Sequence, residues 1–287
     1  MALTGLEIFK QLPKTNCKDC GNPTCLAFAM ALASGKTSLD KCPHVSEEAK
    51  EALGAASAPP IKLVKVGAGT SVVELGDETE LFRHDKRFFH PTAVAVLVED
   101  TDDIANRVAE INDLQFDRVG LHYETEMVAL QCTSGDAAAF KAAAEQVAAN
   151  TDKALVLICE DVAVMEAAAT AVADRKPLLY AATNDNYEAM TALAQKVACP
   201  LAVKGNGLEN LAELVDKVTK LGHKDLVLDS GSRETSQVLA DLTQIRRLAV
   251  RKRFRPFGYP AMAFTSKDDP HEEVVQASVY VAKYAGL

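Results

Sequence analysis

Residues 17–25 read CKDCGNPTC, and a fourth cysteine follows at position 42, directly before a proline. Four of the chain's seven cysteines therefore lie in one short segment, with the spacing C-x2-C-x4-C-x16-C. The glycine and the proline inside the first run bend the backbone, so that three thiols can converge on one small object. The fourth cysteine, Cys42, can reach the other three because the chain turns back after one helix. Several thiolates held at fixed angles by a loop are what a soft metal centre requires.

Three kinds of site compete for Cys17, Cys20, Cys25 and Cys42. A disulfide framework belongs to oxidising compartments, and the N-terminus shows neither the basic nor the apolar region of a secretory signal. Structural zinc usually takes two C-x2-C-like pairs, whereas only one is present here. A [4Fe–4S] cluster bound by all four thiolates fits the spacing better, and a cysteine followed by proline also occurs in ferredoxin runs. We therefore expect a [4Fe–4S] cluster with these four metal ligands, and structural zinc remains the alternative.

The composition limits the possible partners. The chain has 287 residues, of which 48% are hydrophobic, and a net charge of −9. This length suits a barrel-sized domain plus a small module, and the hydrophobic share is sufficient for a full core. The negative charge argues against nucleic acid as a partner. No apolar run reaches membrane-spanning length, so we expect a cytoplasmic protein that does not bind a membrane.

Two domains are expected, one at residues 1–58 and one at residues 59–287. The first is a small helical module around the cysteines, and bound metal would supply much of its folding energy because its own core is small. Small residues followed by prolines mark the boundary at residues 54–60. Directly after it, residues 61–66 and 71–75 are two short β runs that predict a hairpin.

From residue 93 onward, short apolar strands alternate with alanine-rich helices. Strands are expected at residues 94–98, within 118–132, and at 154–158, 178–182, 201–204, 225–229 and 261–264. This rhythm is typical of a parallel sheet buried on both faces, and seven such units predict an α/β fold of the (β/α)8 barrel type. Spacing alone leaves an open doubly wound sheet as an alternative. No eighth strand follows the last helix, so we expect a barrel that lacks its last strand and a chain that is a piece of a longer protein.

Polar residues gather where the predicted strands end, which is where parallel α/β proteins place their chemistry. They are Glu160, Asp161, residues 183–186, residues 205–207 and residues 229–233. Such residues could surround a ligand, but turns and helix N-caps require the same types. We interpret them mainly as turn and cap residues and assign no catalytic residue to the barrel.

Three cysteines and two charged segments remain outside these sites. Cys132, Cys159 and Cys199 lie at or near strands and are interpreted as buried, unreactive thiols. Residues 80–90 combine histidines, basic residues and phenylalanines, which is typical of a binding loop or of a plug at one barrel end. Residues 246–255 form a basic island at a helix end, where a solvated surface is expected and docking of an acidic partner is the alternative.

Together these stretches resemble the large (gamma) subunit of the corrinoid/iron–sulfur protein of the acetyl-CoA (carbon monoxide dehydrogenase/acetyl-CoA synthase) pathway. The resemblance runs from residue 3 to about residue 265. Its stretches are LTGLEIFKQLPKTNCKDCGNPTCLAFAMALASGKTSLDKCP, GDETELFRHDKRFFHPTA, DRKPLLYAATNDNYEAMTALA, KGNGLENLAELVDK and DSGSRETSQVLADLTQIRRLA. The cysteine motif with its GNPTCLAFA surround is highly specific, and the barrel stretches support it.

This resemblance implies an N-terminal [4Fe–4S] domain, a central barrel and a C-terminal corrinoid (cobalamin) domain. In such proteins the corrinoid takes a methyl group from a methyl-tetrahydropterin or methyltetrahydrofolate methyltransferase and delivers it to acetyl-CoA synthase. The cluster relays electrons that return Co(II) to Co(I). By motif, Cys17, Cys20, Cys25 and Cys42 are the cluster ligands. The implied partners are a small barrel subunit forming a heterodimer, the methyltransferase, CO dehydrogenase/acetyl-CoA synthase and a reductive activator.

The chain stops where the corrinoid domain of this family would begin, so no corrinoid contact is placed on its residues. Two other functions remain open from the sequence. One is a pterin-binding barrel methyltransferase that uses Asn184, Asn206 and Asp229 around its ligand. The other is an electron-transfer module with an N-terminal cluster.

Overall fold

The computed structural model describes residues 5–33, 37, 39–46, 49, 59–82 and 90–287 of the chain. The chain divides into two compact units, Met1–Pro60 and Ile61–Leu287, and each has a hydrophobic core of its own. Within the described ranges, none of the helices has the length and apolar character needed to cross a membrane.

The N-terminal unit contains two helices, α1 (Gly5–Gln11) and α2 (Cys25–Ala33), followed by a 3-10 turn at Leu39–Lys41. Helix α2 starts after Thr24, whose Oγ1 accepts a hydrogen bond from the Ala27 N–H at 3.1 Å. That bond satisfies one of the donors that the first turn of a helix leaves unpaired. The unit's core comprises Ile8, Leu12, Phe28, Ala29, Leu32, Leu39, Val45 and Ala49 together with two of the cysteines. With so few apolar side chains, the cysteine loop is itself part of the core.

The C-terminal unit alternates strands and helices. Its strands are β1 (Val64–Val66), β2 (Val73–Leu75), β3 (Ala95–Glu99), β4 (Gln115–Arg118), β5 (Leu121–Glu124), β6 (Met127–Gln131), β7 (Ala154–Ile158), β8 (Leu178–Ala182), β9 (Leu201–Lys204) and β10 (Leu226–Asp229). Its helices are α3 (Ile104–Asn112), α4 (Ala137–Asn150), α5 (Val162–Ala171), α6 (Tyr187–Val197), α7 (Leu208–Lys220), α8 (Thr235–Lys252) and α9 (Pro270–Ala282). The α/β alternation expected from the sequence is confirmed, and β4 with β5 adds a hairpin that was not predicted.

Six strands form one parallel sheet in the order β10-β9-β8-β7-β6-β3. Each pair of adjacent strands is joined through a helix, as in successive βα units, and the connection from β3 to β6 also contains the β4–β5 hairpin. The predicted first hairpin forms as β1 and β2, which pair antiparallel. Gly67, in the loop of that hairpin, has φ +99° and donates its N–H to the Lys176 carbonyl at 3.0 Å, just before β8.

The places of the seventh and eighth strands are taken by short extended segments. Next to β10, the N–H of Met262 and the carbonyl of Pro260 each bond Leu228 at 2.8 Å. Beyond them, the Gly286 N–H donates to the Ala261 carbonyl at 2.7 Å, and the Gly286 carbonyl accepts from the Ala93 N–H at 3.0 Å, just before β3. The expectation of an unfilled eighth place is therefore corrected, because Gly286 bonds to both of its neighbours and closes the ring.

The closed barrel has a filled interior. Along β6, Met127 and Ala129 belong to an inner cluster, whereas Val128 and Leu130 pack outward against the helices. This alternation follows from the two-residue period of a strand. The first hairpin supplies further side chains to the inner cluster, namely Val64, Val66 and Leu75. The barrel is thus a packed core rather than a channel.

One residue of the basic island, Arg246 on α8, differs from the expected solvated arrangement, whereas Arg247, Arg251 and Lys252 are exposed as expected. Arg246 is only 4% exposed, and its Nη2 lies 3.0 Å from Glu78 Oε2 and also donates to the Glu80 carbonyl. Its guanidinium lies over the Tyr284 ring, 5.4 Å from the centroid. The expectation of a solvent-facing position was wrong here because Arg246 belongs to the inner face of the helix, beside Ile245 and Ala249. Of the segment 80–90, residues 83–89 lie outside the described ranges.

We predict that Glu78→Ala lowers the free energy of unfolding by about 3–5 kcal/mol, because it removes the buried carboxylate that lies 3.0 Å from the Arg246 guanidinium. The matched control is Glu74→Ala, which removes an exposed partner of Lys65 on the same hairpin and should cost at most about 1 kcal/mol. Urea unfolding followed by circular dichroism measures both. Equal effects of the two substitutions would contradict the burial argument.

Candidate iron–sulfur site

The loop between α1 and α2 has an unusual backbone. Lys14, Asn16 and Lys18 have φ of +60°, +50° and +71°, and Gly21 follows at +76°. A left-handed conformation costs roughly 1–2 kcal/mol at a non-glycine residue, and such strain is usually retained at functional sites. Positive φ alternates with negative φ from Lys14 to Lys18, and alternation of left-handed with right-handed residues is the backbone pattern of the anion-binding nests found at many iron–sulfur sites.

Asn16 ties the start of this loop to the start of α2. Its Oδ1 accepts the Cys25 N–H at 2.8 Å, and its own N–H points to Cys25 Sγ at 3.4 Å. The two bonds place Cys25 at the first turn of α2, where the helix dipole favours a thiolate. Asn16 is not among the site residues predicted from the sequence. The available signal was the residue type, since asparagine tolerates the left-handed conformation and bonds nearby backbone.

Asn22 performs a similar task beside Cys20. Its Nδ2 donates to the Cys20 carbonyl at 3.3 Å and lies 4.0 Å from Cys20 Sγ. The preceding turn is closed by the Gly21 N–H, which donates to the Lys18 carbonyl at 2.9 Å. A side-chain amide therefore faces the second cysteine sulfur.

Of the four predicted ligands, Cys17 lies in a cluster of possible metal-binding side chains, together with Asp19 and His44. His44 Nε2 lies 2.8 Å from Asp19 Oδ2, and one ligand atom each from Cys17, Asp19 and His44 lie within 4.8 Å of one another. Hydrogen bonds from His44 and then from Cys17 lower the pKa of the Asp19 carboxyl. Because His44 follows Cys42 by two residues, this contact brings the Cys42 segment beside Cys17.

Exposure differs among the four cysteines. Cys25 and Cys42 are 6% and 4% exposed within the unit's core, Cys20 is half-buried, and Cys17 is exposed. All four are free thiols. Soft sulfur donors, N–H groups aimed at two sulfurs and a nest-like backbone fit an anionic, thiolate-ligated group. The arrangement would keep one side of such a group dry and the Cys17 side open to a partner.

The carboxyl end of the barrel is occupied by its own side chains. Asp229 is 2% exposed, and its carboxylate bonds Arg233 at 2.9 and 3.1 Å and the Tyr180 hydroxyl at 2.7 Å. Burial, and next the Asp229 carboxylate, raise the pKa of Tyr180, so the phenol stays neutral and donates. The Phe264 ring lies under the Arg233 guanidinium at 4.8 Å. Asp229 is therefore fully engaged within the protein.

The other strand-end residues serve turns and caps, as the sequence analysis expected. Asp161 caps α5 by accepting the N–H groups of Ala163 and Val164. Asn186 Oδ1 accepts the Thr183 N–H at 2.7 Å. Asn184 and Asn210 exchange amide hydrogen bonds, and Asn210 Oδ1 also accepts the Asn206 N–H. The polar atoms of these side chains are therefore used in hydrogen bonds to nearby backbone or to one another.

Two of the barrel cysteines, Cys159 and Cys199, are held as neutral thiols by burial. Burial raises the pKa of Cys199 to about 12 and that of Cys159 to about 11. Cys199 is buried, whereas Cys132 and Cys159 are half-buried. A thiol with so high a pKa is a weak nucleophile and a weak metal ligand at neutral pH.

Family models match both units. Residues 12–44 match a model described as "Putative Fe-S cluster", and residues 63–287 match the family of the CO dehydrogenase/acetyl-CoA synthase delta subunit. The first match covers the cysteine loop, and the second covers almost the whole barrel.

Curated relatives extend this result over the whole chain. The chain is 62% identical to the corrinoid/iron–sulfur protein large subunit of Moorella thermoacetica, over all of this chain and 65% of that protein. It is 34% identical to the acetyl-CoA decarbonylase/synthase complex subunit gamma of Methanopyrus kandleri, over 99% of this chain and 65% of that protein. The chain thus spans about 65% of the length of these relatives. Among solved structures, dihydropteroate synthase from Xanthomonas albilineans matches at 13% identity with a TM-score of 0.48, covering 77% of this chain and 90% of that one.

The matched region of these relatives therefore includes both the cysteine loop and the barrel. The chain belongs to the CO dehydrogenase/acetyl-CoA synthase delta subunit family, with the large subunits of corrinoid/iron–sulfur proteins among its relatives.

Proposed function

We propose that Cys17, Cys20, Cys25 and Cys42 hold one [4Fe–4S] cluster, and that the protein is the large subunit of a methyl carrier in the acetyl-CoA pathway. The observation that carries the cluster assignment is the geometry of the loop. Donors from Asn16 and Asn22 face the sulfurs of Cys25 and Cys20, and the backbone alternates in hand between them. Structural zinc, the alternative, usually takes two C-x2-C-like pairs, whereas only one such pair is present here.

Each part of the N-terminal unit has a distinct task in this proposal. The buried cysteines, Cys25 and Cys42, exclude water from one side of the site, while Cys17 on the exposed side lies where an electron donor or acceptor can approach. The amide donors offset the negative charge of the thiolates. When bound, the cluster supplies one-electron transfer, which here serves to return a corrinoid cobalt from Co(II) to Co(I).

The methyl-transfer role rests on the relatives. One is named a corrinoid/iron–sulfur protein large subunit and others are named gamma subunits of the acetyl-CoA decarbonylase/synthase complex. We infer that this chain acts beside a corrinoid bound outside residues 1–287. That corrinoid accepts a methyl group from a methyl-tetrahydropterin or methyltetrahydrofolate and delivers it to acetyl-CoA synthase in the cytoplasm. The proposed partners are a small barrel subunit, the methyltransferase, CO dehydrogenase/acetyl-CoA synthase and a reductive activator.

The barrel acts as a scaffold in this proposal. A pterin-binding methyltransferase would need Asp229 and nearby amides free to meet a ligand. Asp229 instead bonds Arg233 and Tyr180, and Asn184 bonds Asn210. These contacts support a barrel that carries the cluster unit and contacts other subunits, and we assign it no catalytic residue.

We predict that Cys42→Ala and Cys17→Ala abolish the reducible cluster and leave the barrel folded. Anaerobically purified protein should contain about four iron atoms per chain, and the variants far fewer. Iron analysis, electron paramagnetic resonance of the reduced protein and circular dichroism measure these properties. Cys132→Ala is the matched control, because its thiol lies in the barrel and should leave the iron content unchanged. Zinc in place of iron in the unsubstituted protein would refute the assignment.

We predict that Asn22→Leu lowers the reduction potential of the cluster, because a donor to a ligand sulfur stabilises the more negative, reduced state. The expected shift is at most about 59 mV, which is a tenfold change for a one-electron couple, since the contact to Cys20 is long. A redox titration followed by electron paramagnetic resonance measures it. Asn184→Leu in the barrel is the control and should leave the potential unchanged. An unchanged potential in Asn22→Leu would show that this amide does not act on the sulfur.

A further inference from the structure

Two of the barrel cysteines occupy equivalent positions on adjacent strands. Gln131, the last residue of β6, pairs in parallel register with Ile158, the last residue of β7. Cys132 and Cys159 come next on the two strands, and the Cys132 N–H continues the ladder by donating to the Ile158 carbonyl at 2.9 Å. Neighbouring strands of a sheet lie about 4.8 Å apart. The backbones of the two cysteines are therefore separated by a single strand spacing.

Both thiols lie on the same side of the sheet. Side chains alternate between the two faces along a strand, and Leu130 and Leu157, two residues earlier, belong to the cluster between the sheet and the helices. Cys132 and Cys159 pack against that same cluster. A disulfide requires Cα atoms about 4.4–6.8 Å apart and side chains that do not point away from one another. Register and alternation together meet both requirements.

The two sulfurs also affect one another, and they differ in reactivity. Burial, and in addition the neighbouring Cys132 thiol, raise the pKa of Cys159 to about 11. Cys159 Sγ donates to the Asp161 carbonyl at 3.6 Å, so its proton is held inside the protein. The nucleophile in disulfide exchange is the thiolate. The first reaction with an oxidant therefore falls to Cys132.

Access distinguishes this pair from the third barrel cysteine. Cys132 and Cys159 are half-buried at the carboxyl ends of their strands, whereas Cys199 is only 1% exposed. Cys199 precedes β9 and so lies at the amino end of the parallel sheet, away from the pair. A small molecule in solution can reach the pair, and Cys199 provides a shielded thiol for comparison.

Hydrogen bonds hold the loops that follow the two cysteines. The Asp100 carboxylate accepts the N–H groups of Thr133 and Ser134 at 2.8 and 3.1 Å. Asp161, two residues after Cys159, accepts two N–H groups from the first turn of α5. These bonds keep both loops in place beside the thiols. Groups held side by side react with one another faster than with a second molecule from solution.

We propose that Cys132 and Cys159 are a redox modification site, at which a low-molecular-weight disulfide oxidises the pair to a reversible protein disulfide. Cys132 loses its proton to solvent, and its sulfur attacks the small disulfide, which leaves a mixed disulfide on Cys132 and releases one small thiol. Cys159 then loses its proton to solvent, and its sulfur attacks Cys132 Sγ and releases the second small thiol. Two protein thiols lose two electrons, and the small disulfide gains them.

The same steps run backwards when small thiols are in excess. Disulfides in reducing compartments are usually transient and often sense the redox state. The bond between the ends of β6 and β7 would therefore follow the balance of thiols and disulfides around the protein. While it is present, it ties together the two loops that Asp100 and Asp161 hold.

The test uses the full chain, purified anaerobically and treated with glutathione disulfide. Free thiols are then alkylated with iodoacetamide, and trypsin digestion places each barrel cysteine in a peptide of its own, at residues 119–141, 154–175 and 197–204. Mass spectrometry should find the first peptide joined to the second, and dithiothreitol should separate them. Unjoined peptides, with both thiols alkylated or with glutathione alone on Cys132, would overturn the inference.

Three variants test the order of the two attacks. Cys159→Ala should leave Cys132 as a stable mixed disulfide with glutathione, because the second thiol is missing. Cys132→Ala should leave Cys159 without glutathione after the same exposure. Cys199→Ala is the matched control and should form the joined peptide to the same extent as the unsubstituted chain. Equal attachment of glutathione in the first two variants would contradict the assigned order.

The unfolding transition separates a native bond from one formed in damaged protein. A disulfide that fits the folded barrel restricts the unfolded chain. The oxidised chain should therefore keep its circular dichroism spectrum and unfold at a higher urea concentration than the reduced chain. A lower midpoint would show that the bond distorts the barrel and would overturn the inference. None of these measurements depends on iron, so their failure leaves the cluster assignment untouched.

Discussion

In the proposed cluster site, four thiolates bound to one metal centre repel one another, and the N-terminal unit depends on meeting that constraint. Hydrogen-bond donors must face the sulfurs if the ligands are to stay together. The loop provides two of them, the backbone N–H of Asn16, which faces Cys25 Sγ, and the side-chain amide of Asn22, which faces Cys20 Sγ. Asn16 then joins this loop to the first turn of α2 through two bonds to Cys25. The small apolar core packs around the same cysteine, so site and core form one structure.

The barrel meets a different requirement, because its interior must be filled and its ring closed. The first hairpin places three apolar side chains inside, and Gly286 bonds the segments on either side of the last gap. At the carboxyl end, Tyr180, Asp229 and Arg233 satisfy one another's charges and hydrogen bonds. Because these side chains bond one another, the carboxyl end of the barrel fits the role of a rigid support for other units better than that of a ligand-binding cleft. The chemistry of the proposed function is accordingly assigned to the cysteine loop.

The sequence by itself determined the features that depend on local spacing. The cysteine pattern pointed to a metal site, and the regular recurrence of apolar strands and helices predicted the barrel, because both arise from residues close together in the chain. Only the tertiary structure decided features that depend on distant partners. Arg246 looked like a solvated helix end until Glu78, far away in the sequence, was placed beside it. Gly286 and Ala93 meet only because the sheet curves into a ring, and the Asn16 contact to Cys25 exists only once the loop has folded back. Burial and charge pairing are properties of the folded neighbourhood, which residue type and spacing do not contain.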